Sequence, residues 1–179
     1  EKDVTEEFLK QISDDEFFVD MLFCDGVLKI FSCSTVYTTS DVDLILKFFS
    51  GNSRKSTFGA KPCYKFAFSN NTPVNLLDFD ADIAGYLLNS TSSEYSIEKL
   101  CSEYSVKYHS ELGENADIVS LHELTAKLSN ELSETKMNRL FYDIELPLTE
   151  VLSSMEVDGI LIDESGVREF GDKLKSDLT

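Results

Sequence analysis

In the first half of the chain, the apolar residues alternate between short strand-like runs and helical stripes, and this alternation constrains the fold most. A helical stripe over residues 3–12 comes first. Three runs rich in β-branched and aromatic residues follow, namely Phe17–Phe23, Val27–Cys33 and Val36–Thr39. Asp25-Gly26 between the first two runs is a typical hairpin turn. The pattern predicts a helix followed by a three-stranded antiparallel meander.

The next segment continues the alternation of strands and helices. Ser40 is the predicted N-cap of a helix that ends at Gly51-Asn52-Ser53. Four further short elements follow: a strand at Ser56–Phe58, a helix at Pro62–Phe68, a strand at Val74–Leu77 and a helix at Asp80–Leu88. Strands that alternate with helices predict an α/β fold, a mixed sheet covered by helices.

The last third of the sequence is predicted to be helical. Helices are expected at Ser96–Tyr104 and at Asn115–Leu132. Met137–Val157 is a longer periodic segment, in which Pro147 predicts a kink. Asp158-Gly159 ends it, and Asp163 is the predicted cap of a final helix.

Charge limits the possible partners of this chain. Its 33 acidic and 16 basic side chains give a net charge of −17. Such a surface repels phosphate, so we expect weak or no DNA binding by the chain itself. The charge either serves solubility or keeps nucleic acid away from one face of a larger assembly.

Other features of the sequence predict a cytoplasmic monomer cut from a longer protein. The apolar runs are too short to span a membrane, and no secretory signal is present. The chain starts at Glu1 without a Met and stops at Thr179 within a helical pattern. We therefore expect a fragment with no membrane partner.

The cysteines and histidines do not have the spacing of a metal site. The sequence contains no C-x-x-C pair, and neither histidine, at positions 109 and 122, forms a zinc-type pattern with Cys101. The four cysteines are therefore predicted to be reduced thiols: Cys24, Cys33, Cys63 and Cys101. The chain also has no Gly-rich phosphate loop and no Ser or Cys nucleophile with a motif-spaced histidine.

Three stretches of the sequence resemble the 3′–5′ exonuclease domain of bacterial family A DNA polymerases. The most specific is 144–163, IELPLTEVLSSMEVDGILID, which is similar to the passage from that domain into the polymerase thumb. Residues 79–90 and 93–100 resemble the helix after the second exonuclease motif and the short helix beyond it. The opening strand triplet is a vaguer match.

The resemblance implies a ribonuclease-H-like fold, with a mixed five-stranded sheet flanked by helices and a C-terminal helical extension. It also implies a boundary, with an exonuclease-like domain at 1–135 and the connecting helix and start of the thumb at 136–179. The polymerase domain of the same chain would be the partner, and DNA would bind through the parent protein.

Active members of this family hold two metal ions with carboxylates from several elements. Two such ions lie roughly 3.5–4 Å apart and require hard oxygen ligands. On the first strand Asp20 matches the family's Asp, but Leu22 stands where the Glu should be. Between positions 44 and 77 there is no acid at all, so Cys63 or Lys65 occupies the second motif's position.

The third motif is also incomplete. Asp117 matches its Asp, but Gly113 then replaces the Tyr that orients the attacking water. Without the full set of ligands, Asp20 and Asp117 are interpreted as solvated or capping carboxylates.

These departures predict a domain without catalytic residues, metal ions or cofactors, inside a parent polymerase that uses Mg²⁺. Its function would be that of a proofreading-inactive exonuclease-like structural domain in DNA replication and repair. Two alternatives remain open: a weak metal-dependent nuclease that uses Asp20 and Asp117, or an acidic protein-interaction module.

Overall fold

Residues 2–14, 18–92 and 94–178 are described by the computed structural model. The strands are β1 (Lys2–Asp3), β2 (Phe18–Cys24), β3 (Val27–Ser32), β4 (Thr35–Thr39), β5 (Arg54–Thr57) and β6 (Leu77–Asp80). They form one mixed sheet in the order β1-β4-β3-β2-β5-β6. The pairs β1–β4, β2–β5 and β5–β6 are parallel, and β2–β3 and β3–β4 are antiparallel.

Helices cover the sheet and extend beyond it. They are α1 (Glu6–Asp14), α2 (Val42–Ser50), α3 (Lys61–Ser69), α4 (Ala81–Leu88), α5 (Ile97–Glu103), α6 (Ala116–Glu134), α7 (Asn138–Leu140), α8 (Leu146–Asp158) and α9 (Glu164–Asp177). A 3₁₀ segment, Ser110–Asn115, precedes α6, and a π-helical turn, Phe141–Glu145, joins α7 to α8. None of the helices in the described ranges is both long and apolar enough to cross a bilayer.

The predicted α/β class and the antiparallel meander are confirmed, but the expected strand number is wrong. Within the described residues the sheet has six strands, because β1 pairs with β4 at Lys2↔Tyr37 and Asp3↔Thr38. Both residues of β1 are exposed, so no apolar alternation marks the strand. Phe17 and Ser93, which belong to predicted elements, lie outside the described residues.

The position predicted for the strand at Val74–Leu77 is wrong. The structure instead places β6 over Leu77–Asp80, and Leu76 before it has a left-handed backbone. Pairing with β5, at Ser56↔Phe79, extends the strand into a sequence whose acids suggested a helix start. The buried side chains of Leu77 and Phe79 preserve the alternation.

Side-chain caps fix where several helices begin. The predicted cap Ser40 is wrong, since the Asp41 carboxylate accepts from the backbone N–H groups of Asp43 at 2.9 Å and Leu44 at 3.1 Å. Asp163 is confirmed as the cap of α9, whereas Ser96, predicted as the first residue of a helix, is the cap of α5. A cap gives the otherwise unpaired N–H groups of a first helical turn an acceptor.

In the segment predicted as one long helix, Met137–Val157, regular α-helix is interrupted just before Pro147. Proline has no N–H and its ring crowds the carbonyl four residues earlier, which here belongs to Asp143. The π-helical turn spans that position, and Pro147 then stands in the first turn of α8. The chain therefore stays helical through the region predicted to kink.

The sheet has two chemically different faces. On one face Val19, Met21, Leu28 and Ile30 are fully buried, and α1 and α2 cover them, as the stacked pair Phe8–Tyr37 and the edge contact Phe23–Phe49 show. We call this the aliphatic face. The opposite face, called the α6 face, carries alternate residues of the same strands and packs against α6.

Candidate functional site around Asp20

Asp20 lies in the middle of β2 on the α6 face, with only 1% of its surface exposed. Register places Ser56 of β5 directly beside it, and the Ser56 hydroxyl donates a hydrogen bond to Oδ1. Across the sheet, His122 of α6 donates from Nδ1 to Oδ2 at 2.7 Å. Both carboxylate oxygens of Asp20 therefore already have partners within the protein.

The pKa of Asp20 reflects two opposing effects. Burial raises the pKa because the charged carboxylate loses its hydration. Hydrogen bonds from Ser56 and His122 oppose that rise because they stabilise the ionised form. Asp20 is therefore neither a solvated nor a capping carboxylate, and that interpretation of the sequence is wrong for it.

His122 connects this buried carboxylate to solvent. Its side chain is 61% exposed, and its ring lies edge-on to Phe31 with 5.6 Å between ring centroids. Because Nδ1 is bonded to Asp20, the other ring nitrogen, Nε2, is the one that another partner could use. A carboxylate that orients an imidazole in this way is an arrangement suited to proton transfer.

Two grooves meet at His122 and Phe18. The hairpin groove, of about 820 Å³, lies between the β3–β4 turn and the start of α6 and includes Cys33 and His109. The second groove, of about 360 Å³, contains Asp20 itself and is called the Asp20 groove. Its remaining wall includes Arg54, Asp78, Phe79, Thr125 and Tyr142.

The other first-strand position predicted to be degenerate is near Asp20. Leu22 lies two residues further along β2 and therefore on the same face of the sheet. Its side chain packs against the hydrophobic core. A leucine offers no oxygen to a cation, so this side of Asp20 has no second ligand.

The two candidate positions of the second motif both lie on α3 but in different environments. Cys63 is fully buried in α3, where burial raises the pKa of its thiol to about 12. Lys65 is exposed and pairs with Glu156 of α8 at 3.1 Å. Neither residue lines the Asp20 groove.

The third-motif positions also lie outside that groove. Asp117 is exposed in the first turn of α6, where a negative charge suits the helix dipole, and it accepts from the Tyr108 hydroxyl at 3.0 Å. Gly113 is exposed in the 3₁₀ segment with φ of 56°. In the described part of the chain, no three His, Cys, Asp or Glu side chains converge to hold a metal ion.

Sequence reasoning missed His122, Ser56 and a second buried carboxylate, Asp80. Asp80 caps α4 and also accepts from the backbone N–H groups of Gly59 at 2.8 Å and Ala60 at 2.7 Å. Burial raises its pKa to about 6, against those hydrogen bonds. No local signal reveals the Asp20–His122 contact, which joins residues 102 positions apart.

Comparisons with known proteins find local sequence similarity to one kind of protein. No family model matches the chain. DNA polymerase I of Chloroflexus aurantiacus is 42% identical over 57 residues, which cover 31% of this chain and 6% of that protein. The same-named proteins of Borreliella burgdorferi and Lactococcus lactis are 28% and 26% identical, over 56% and 76% of this chain. Parts of this chain are therefore similar in sequence to parts of bacterial DNA polymerase I.

A solved structure supports the fold over nearly the whole chain. The POL domain of Pol1 from M. smegmatis, in complex with DNA primer-template and dNTP, matches with a TM-score of 0.77 and 16% identity. The match covers 98% of this chain and 36% of that structure's chain. The chain spans only 6–17% of the length of the curated relatives named above.

Proposed function

We propose that this chain is a proofreading-inactive 3′–5′ exonuclease-like domain that serves a structural role in a DNA-directed DNA polymerase of replication and repair. Residues 1–135 would be a vestigial domain of ribonuclease-H-like ancestry, and 136–179 would lead into the polymerase thumb. The local similarities to DNA polymerase I and the fold match support this assignment.

One observation carries the loss of activity: the remaining carboxylate of the first strand is engaged by protein groups. Ser56 and His122 occupy both oxygens of Asp20. A metal ion would have to displace at least one of them, and Leu22 would offer it no second ligand. Two-metal hydrolysis needs several carboxylates around both ions, so these residues do not fit such a centre.

The remaining motif positions support the same proposal. Cys63 is buried away from the Asp20 groove, and its raised pKa keeps it a neutral thiol, which is a poor ligand for a hard cation. Asp117 is turned to solvent beside Tyr108. We therefore derive no catalytic step through a metal ion in this domain.

The test is removal of a mismatched 3′ terminus by the full-length protein that contains this chain. A primer with a terminal mismatch is incubated with Mg²⁺ and no nucleotides, and the shortened products are resolved on a gel. We expect no shortening, while the same preparation extends a matched primer when nucleotides are added. Efficient trimming at a rate near that of extension refutes the proposal.

A weak metal-dependent nuclease is the second candidate, because Asp20 and the exposed ring of His122 line one groove. Calorimetric titration with Mn²⁺, together with an assay of single-strand cleavage, separates the two. Metal binding and cleavage that both disappear in Asp20→Asn favour the nuclease. If circular dichroism shows that the chain is folded but neither Mn²⁺ binding nor cleavage is detected, the structural domain is favoured.

The C-terminal helices supply a surface for the proposed partner, the polymerase region of the same chain. α9 has no buried residue, and Val167, Phe170 and Leu174 expose an apolar stripe at helical spacing. Ile160 and Leu161 before it are almost fully exposed. In this proposal Mg²⁺ and DNA bind the polymerase region, the parent is cytoplasmic, and the acidic exonuclease-like domain contributes little DNA affinity.

A further inference from the structure

A small groove lies between α4 and α8, away from the Asp20 groove. Its volume is about 250 Å³. Apolar, aromatic and acidic side chains line it, among them Asp82, Tyr86, Tyr95, Glu145, Leu148 and Leu152. We call it the tyrosine groove. No residue of α9 contributes to its wall, so it is separate from the apolar stripe of that helix.

Two tyrosines form a fixed aromatic corner in this groove. The rings of Tyr86 and Tyr95 lie 6.1 Å apart between centroids and are nearly perpendicular, at 77°. The Tyr95 hydroxyl donates to the carbonyl oxygen of Asn89 at 2.6 Å, which holds that ring in place. Tyr86 remains 50% exposed, so an aromatic surface is open to a partner.

Two half-buried carboxylates lie beside the tyrosines without a cation. Within residues 2–14, 18–92 and 94–178, no lysine or arginine pairs with Asp82 or Glu145, and none lines the groove. Burial raises the pKa of Asp82 because its carboxylate loses hydration without gaining a compensating charge. The α4 N-terminus accounts for an acid at position 82, but not for the aromatic corner beside it.

We propose that the tyrosine groove binds an arginine side chain from a basic segment of a separate partner protein. A guanidinium group can stack on a tyrosine face while it pairs with a carboxylate, and the groove offers both within one depression. Leu148 and Leu152 provide apolar surface for the aliphatic part of the side chain and for an adjoining apolar residue.

Charge complementarity favours a basic side chain as the occupant of the tyrosine groove. The chain carries a net charge of −17, so its long-range field attracts basic segments and repels nucleic acid. Arginine fits better than lysine, because its planar group is more weakly hydrated and stacks on aromatic rings. This inference does not rest on the loss of exonuclease activity.

The test is a titration of the ¹⁵N-labelled chain with a short peptide that has one arginine between two leucines. We expect saturable chemical-shift changes at Tyr86, Tyr95 and the residues around them. Replacing the arginine by citrulline, which keeps the shape but removes the charge, should weaken binding roughly tenfold, equivalent to about 1.4 kcal/mol.

A matched pair of variants separates the groove from general electrostatic attraction. Asp82 and Asp43 both lie in the first turn of a helix, so Asp82→Asn and Asp43→Asn remove the same charge from similar positions. Asp82→Asn should weaken peptide binding severalfold, and Asp43→Asn should leave it unchanged. Equal effects of the two variants, equal binding of the citrulline peptide, or no saturable binding overturns the proposal.

Discussion

The two faces of the sheet are built from alternate residues of the same strands, yet they differ in chemistry. On the aliphatic face Val19 and Met21 belong to the same buried hydrophobic cluster as Phe48 and Phe49. On the α6 face Asp20 lies between these two residues of β2, and it is bonded to a serine and a half-exposed histidine. The aliphatic face supplies packing, whereas the α6 face keeps a polar cluster open to two grooves.

The contrast between the two faces indicates where such a domain can change without unfolding. Replacing a carboxylate on the α6 face should change the chemistry of the candidate site. It should leave the packing of the aliphatic face in place. A large cavity in the aliphatic face affects the whole sheet, because interiors are close-packed and relax only partly. Variants on the two faces should therefore differ in the size and pH dependence of their effects on stability.

The largest effect is expected from Phe49→Ala on the aliphatic face. Phe49 is fully buried, so the variant should lose about 4 kcal/mol of unfolding free energy through lost burial and a residual cavity. Urea unfolding followed by circular dichroism measures the change. Phe18→Ala is the control, because Phe18 is 40% exposed and should cost much less. A loss below about 1 kcal/mol for Phe49→Ala contradicts the packing argument.

A pH-dependent effect on stability is expected from Lys55, the one lysine that the described structure buries completely. Lys55 lies on the aliphatic face, and its Nζ donates to the carbonyl oxygens of Gly51, Ser53 and Asn75 at 2.7–3.0 Å. Burial lowers its pKa to about 8, from an ordinary value of 10.5. The folded state therefore releases this proton at a lower pH than the unfolded state does.

Stability should accordingly rise with pH between about 8 and 10.5, because the unfolded state then binds more protons than the folded state. The gain from Lys55 alone is at most about 3 kcal/mol. Urea unfolding across this range, compared with Lys55→Met, isolates it, since all other titrations are shared. A variant whose pH profile parallels that of the unaltered chain would show that Lys55 keeps an ordinary pKa.

The smallest effect on stability is expected from replacing Asp20 or Asp117, the two carboxylates that were given the same interpretation from the sequence. Asp20→Asn should lower the free energy of unfolding by about 2 kcal/mol. The amide has one oxygen and one NH₂ group, so it cannot replace both carboxylate oxygens that accept hydrogen bonds from Ser56 and His122. Asp117→Asn should stay within about 0.5 kcal/mol, since that side chain is exposed. Thermal and urea unfolding of both variants measure the contrast. Equal losses would place the stabilising role of Asp20 elsewhere than in its buried hydrogen bonds.

Much of the fold could be predicted because its signals are local. The Asp25-Gly26 turn, the cap Asp163 and the stop at Gly159 act within a few residues of themselves. β1 escaped prediction because two exposed residues form no pattern. β6 was misplaced because its register depends on pairing with β5 rather than on its own composition.

The candidate site was less predictable, because its contacts are distant in sequence. Asp20 and Leu22 could be selected from the first strand alone. The partners of Asp20 could not, since Ser56 and His122 come from other elements. A lysine is ordinarily expected at the surface, so the sequence does not predict the burial of Lys55. Its burial is possible because three backbone carbonyl oxygens accept hydrogen bonds from Nζ.

The amino-acid sequence alone was enough to predict the alternation of strands and helices, the helix and strand periodicity of most elements, and the acidic charge of the chain. These properties follow from side-chain periodicity and from the number of ionisable groups, neither of which depends on the partner of any residue. Which carboxylates are buried, and which groups form hydrogen bonds with them, depends on contacts between distant residues. The cost of burying a charge depends on what surrounds it in space, and sequence spacing does not contain that information.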